Sequence, residues 1–149
     1  MKIAILTATV LTLASQAWAI DNVQLRLTHT KPGRDSDRME IVHQGHGDAI
    51  KELLFVDEKP LVDQSQITSA ELGVANDGTP RIQLKLTEAG DRALRHDEGR
   101  RLAVVIGGHA RATGEIVSNK EAGRVDLSGD FTRNEAQQVV DDINQATRR

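Results

Sequence analysis

Residues 101–117 read RLAVVIGGHARATGEIV: an apolar run ending at Ile106, two adjacent glycines, a histidine, and a second run with strand character. A loop that cradles phosphate needs GxGxxG or GxxxxGK[ST] between a strand and a helix. Here only Gly107 and Gly108 are present, no Lys-Ser or Lys-Thr follows, and a strand pattern resumes at Ala110. Two Gly residues between apolar runs instead fit a tight hairpin turn, where positive φ is required. The stretch therefore predicts two antiparallel strands, RLAVVI and ARATGEIV, with His109 facing solvent just past the turn.

Downstream, Gly123 opens a further strand in which Val125 and Leu127 alternate with Asp126 and Ser128. FTRNEAQQVVDDIN then predicts a helix. Thr132 and Glu135 have the spacing of a capping box, hydroxyl to the N3 amide and carboxylate back to the N-cap amide. Ala136, Val139, Val140 and Ile143 form one apolar stripe at i, i+3, i+4 and i+7.

Upstream, Ile82, Leu84 and Leu86 alternate with Gln83 and Lys85. Thr87 caps a predicted helix TEAGDRALRHD, with Ala89, Ala93 and Leu94 on one face and Gly99 beyond its end. Asn76–Pro80 is a turn. The stretch VDQSQITSAELG predicts a short helix around Ser65–Leu72, capped by Asp63 or Ser65 and stopped by Gly73. Glu52–Val56 predicts a buried strand, Met39–Val42 a short strand, and residues 29–38 a loop rich in Pro, Gly, Asp and Ser. Val23, Leu25 and Leu27 alternate with polar neighbours as a half-buried strand does. The elements do not repeat as βαβ. The expected class is α+β, a largely antiparallel sheet with two or three helices packed on one face.

The first 19 residues, MKIAILTATVLTLASQAWA, have the layout of an export signal: Lys2, an apolar stretch from Ile3 to Ala14, and Ala17-Trp18-Ala19 for cleavage. That apolar stretch is shorter than the roughly 20 residues a membrane span needs. Taking 19 from 149 leaves 130 residues, enough for one compact domain. The chain is expected to be periplasmic, with no transmembrane segment after cleavage.

There is no cysteine, so disulfide and thiol chemistry are excluded. Losing Lys2 takes the formal charge from −3 to −4, and the remaining basic residues are dispersed. No basic stripe or stacking aromatics suggest nucleic acid.

For metal, His43, His46 and Asp48 in the HQGHGD stretch are the candidates, two imidazoles three apart beside a carboxylate. A site needs three or four ligands, and His29, His96 and His109 are scattered. The stretch therefore reads first as an exposed polar loop, and a periplasmic metal-binding protein using His43 and His46 is the alternative. No serine stands in GxSxG, and Asp141-Asp142 and Asp57-Glu58 look like a solvated helix face and a strand end. A cationic His96 favours the C-terminal dipole of its helix, a structural role. No enzymatic activity and no cofactor are expected.

Taken in order, Leu86-Thr87-Glu88-Ala89-Gly90, Gly99-Arg100-Arg101-Leu102-Ala103-Val104-Val105-Ile106 and the run from Gly123 to Ala136 resemble the head subdomain of the first periplasmic domain of SecD. SecD is the accessory subunit of the bacterial Sec translocase. Leu54-Phe55-Val56, Lys59-Pro60-Leu61-Val62 and Ile67 with Ala70 are similar to the segment leading into that subdomain's first helix. The resemblance spans roughly residues 53–145. Gly107-Gly108 stands where the family has Asp-Gly, and Gly114 where it has a proline.

The resemblance implies a SecD-head-like domain over residues 51–149, preceded by the signal (1–19) and by N-terminal strand and flexible loop (20–50). It further implies a non-enzymatic module that engages exported or unfolded polypeptide or an envelope protein. Peptide would pair with an exposed sheet edge or lie in a shallow aliphatic groove beside the helices. The hairpin and an edge strand after it supply the expected contacts: Gly107, Gly108, His109, Arg111 and Thr113.

Overall fold

The computed structural model of the chain describes residues 22–44 and 49–148. The strands are β1 (Val23–His29), β2 (Ser36–Gln44), β3 (Ala49–Asp57), β4 (Val62–Asp63), β5 (Ile67–Val74), β6 (Pro80–Leu86), β7 (Arg101–Ile106), β8 (His109–Ser118) and β9 (Arg124–Ser128). The helices are α1 (Glu88–His96) and α2 (Arg133–Thr147). The sheet runs β2-β3-β1-β7-β8-β9-β6-β5, with β4 also pairing β1. Every pairing is antiparallel. The α+β class stands.

The centre of the sheet explains why RLAVVI is apolar without interruption. Leu102, Val104 and Ile106 enter the large core beneath the helices, whereas Ala103 and Val105 enter a smaller core on the opposite face. A strand covered on both faces has no polar alternate positions to fill. The second cover is the β2–β3 hairpin. It pairs with β1 only at Thr28↔Val56 and His29↔Phe55, then places Ile41, Leu54 and Val56 against Ala103, Val105 and Ala110. Two alanines on the floor let this arm lie close. Its polar ties include Arg26 to Asp37 at 2.9 Å, Arg101 to Glu52 at 3.3 Å, and the side chains of His29 and Asp57.

Two of the three helices predicted with caps are present. Thr87 accepts from the Gly90 amide and opens α1, whose one large fully buried side chain is Leu94. A Cβ on Gly90 would lie 3.0 Å from the Gln66 carbonyl, so its absence lets α1 press on the preceding turn. Thr132 and Glu135 form the full capping box of α2, and Ala136, Val139, Val140, Ile143 and Ala146 are buried.

Arg95 fastens α1 to the loop before β9. Its Nε donates to both Asp91 carboxylate oxygens at 2.9 Å, and its other nitrogens donate to the carbonyls of Asn119, Glu121 and Arg124. A lysine has no planar fork to reproduce this set. Arg95→Lys is expected to cost about 1–2 kcal/mol, the scale of one or two lost charge-assisted bonds. Thermal unfolding followed by circular dichroism checks it.

The predicted helix at Ser65–Leu72 is corrected. Asp63 does cap, with Gln66 completing a capping box, but only a single 3-10 turn at Gln64–Gln66 follows. Ile67–Val74 is strand β5, paired with β6 from Ile67↔Leu86 to Val74↔Pro80. The cap signal was real, while the residues behind it pair with the Ile82/Leu84/Leu86 strand, and tertiary pairing overrode local propensity. The strand expected at Met39–Val42 extends over Ser36–Gln44, so the loop before it is shorter than residues 29–38.

Candidate functional site

The hairpin tip behaves as its sequence predicts. Gly107 and Gly108 have φ of 58° and 82°, the left-handed conformations that a two-residue turn of this kind imposes. The Gly107 amide donates to the Asn22 carbonyl at 3.1 Å, tying the turn to the start of β1. His109 is exposed and pairs with Ile106.

The other two expected contacts part company. The register slips between Val104↔Ala112 and Val105↔Ala110, which leaves Arg111 without a partner in β7. Such a bulge re-aims side chains. Arg111 Nη2 meets Asp142 of α2 at 2.9 Å, Ala112 joins the core under the helices, and Ala110 joins the core under the arm. Thr113 is buried (4% exposed), and its hydroxyl accepts from Arg101 at 2.7 Å. Gly107, Gly108 and His109 thus share the tip, while Arg111 is held by a helix and Thr113 is grouped with Arg101.

Thr113 belongs to a polar cleft of about 480 Å3 beside the arm. Its lining includes Asp77, Arg101, Glu115, Ser128 and Asp130. The Thr79 hydroxyl and then its amide, donating at 2.7 and 3.0 Å, hold the Asp77 carboxyl below its ordinary pKa. Arg101 is engaged by both Glu52 and Thr113. The lining residues come from four separated segments, and no spacing in the sequence announces them.

The placement of β8 as an edge strand is corrected. It lies between β7 and β9. Its pairing with β9 covers Glu115–Ser118, and next to Thr113 the chain leaving β9 passes so close that a Cβ on Gly129 would lie 2.2 Å from the Thr113 carbonyl oxygen. The terminal strands are β2 and β5. Reading β5 as helix concealed one of them.

Of the metal candidates, His43 lies on β2 opposite Ile50, and His46 and Asp48 fall outside the described residues. Among the described residues no three His, Asp or Glu side chains gather as a metal site would require. No helix among them is long and apolar enough to cross a membrane.

Two helices on one face of an antiparallel sheet, a hairpin arm on the other, and a polar cleft beside the arm define an α+β domain of the SecDF head type. The chain belongs to the SecDF P1 head subdomain family, whose model matches residues 39–144. The fold is similar to a crystal structure of SecDF in a super-membrane-facing form, with a TM-score of 0.50 and 14% identity over 83% of this chain and 18% of that one. A second structure, of a SecDF described as a membrane component that enhances protein export, gives a TM-score of 0.47 and 15% identity, over 83% of this chain and 61% of that one. The chain thus spans less than two thirds of either SecDF chain. No curated protein matches it.

Proposed function

We propose that the chain is a Sec-exported periplasmic module, processed after Ala19, that has no enzymatic activity and engages extended or unfolded exported polypeptide. An envelope protein that presents such a segment is an equivalent partner. The observation that carries this reading is membership of the SecDF head-subdomain family over residues 39–144. One feature of the molecule supports it. The sheet ends in terminal strands, and an exposed edge takes an extended peptide through main-chain bonds.

Fluorescence anisotropy of a labelled, permanently unfolded polypeptide titrated with the full chain tests the reading. Saturable binding is expected, with no competition from the foldable parent of that polypeptide in its native state. Absence of any anisotropy change overturns it.

A further inference from the structure

We infer that the outer edge of β5 at Leu72–Val74 is the strand-addition site, and that Asn144 of α2 sets its length by standing in for an added strand at Ala70. The inference rests on the proposed engagement of extended polypeptide and locates it.

The alternation of β5 fixes which of its groups are free. The Ala70 amide donates to Asn144 Oδ1 at 2.8 Å, and Asn144 Nδ2 donates to the Ala70 carbonyl at 2.8 Å. Ala70 therefore directs its main-chain groups away from β6. In an antiparallel ladder every second residue does the same. Leu72 and Val74 thus face outward too, consistent with Val74 standing opposite Pro80, which has no amide hydrogen to offer. β5 is terminal in the sheet, so these groups have no partner strand among the described residues.

The occupant follows from chemistry. A carboxamide is a peptide group in miniature, and Asn144 already makes the paired donor and acceptor bonds that a neighbouring strand would make at Ala70. The next outward positions ask for the same pair of bonds, and only extended backbone supplies them in series.

The side chains there are aliphatic. Val74 is 60% exposed, and Leu72 is half-buried against the large core. An unprotected aliphatic edge is one that proteins ordinarily blunt with charge or proline. β5 carries one exposed charge, Glu71, beside this stretch, whereas β2, the other terminal strand, carries three, Asp37, Arg38 and Glu40. The occupant is therefore an extended segment with aliphatic side chains, short because α2 closes the site at Ala70.

The test uses the full 15N-labelled chain and a soluble peptide of alternating Val and Thr flanked by lysines. Chemical-shift changes are expected to centre on Leu72–Val74. Val74→Pro removes an outward amide that has no partner strand among the described residues, so it should leave the thermal midpoint nearly unchanged and weaken binding at least about 10-fold. Asn144→Ala frees the Ala70 groups and should tighten binding several-fold while lowering the midpoint, a combination that a purely structural asparagine would not give.

Peptide that binds equally well to Val74→Pro, or perturbs β2 or the cleft instead, overturns this site and leaves polypeptide binding standing. Absence of binding by the unsubstituted chain overturns both. Concentration-dependent self-association abolished by Val74→Pro would make a second copy the occupant and overturn the peptide assignment.

Discussion

Replacing Gly129 with alanine is expected to lower the melting temperature by about 12 °C, corresponding to about 3 kcal/mol at about 4 °C per kcal/mol for a domain of this size. The added Cβ would lie 2.2 Å from the Thr113 carbonyl oxygen, 2.9 Å from Phe131 Cε1 and 3.1 Å from the Gly114 Cα. Two of these three neighbours are backbone, so no rotamer change relieves the contact. Overpacking of this kind costs about 1–3 kcal/mol, and backbone obstruction puts it at the upper end. Gly129 is not among the positive-φ glycines, so the requirement is for space. Gly33→Ala, where nothing lies within 4 Å of the new atom, is the control and should shift the midpoint by less than about 2 °C. Circular dichroism melts of the two variants decide the matter.

Leu94→Ala should cost a similar amount, about 3 kcal/mol within the about 2–5 kcal/mol range for such truncations. Leu94 is fully buried, and it is the only large apolar side chain that α1 buries completely. Helix α2 distributes the same task over five buried residues. The loss should therefore be local. Amide hydrogen exchange is expected to show α1 and the 119–124 loop, which Arg95 fastens to it, losing protection well before α2. Uniform loss across both helices would show that Leu94 supports the whole core and not α1 in particular.

Much of the fold was legible because local signals and tertiary demands agreed. The capping box at Thr132 and Glu135 leads into an apolar stripe that is buried as its period requires. Gly107 and Gly108 adopt the φ values that a two-residue hairpin imposes. The sequence misled where signals competed. Asp63 is a true cap, but it caps a single turn, and the following ITSAELGV pairs with β6 instead of continuing as helix.

The expected contacts dispersed for a different reason. One extra residue in β8 breaks the period-2 alternation, so Arg111 turns to the helix while Thr113 stays with Arg101. A bulge leaves no mark in composition. The cleft was invisible because its walls are long-range neighbours, Asp77 and Asp130 among them. The β5 edge was hidden by the same misreading that turned a strand into a helix.

If this domain meets extended polypeptide in the cell envelope, site-specific photocrosslinking will capture the contact. A photoreactive amino acid is placed at position 74 of the full chain in intact cells, with position 33 as an exposed control. Adducts with exported polypeptides are expected from position 74, absent from position 33 and lost when export is blocked. Adducts equal at both positions, adducts that persist without export, or none at position 74 would contradict it.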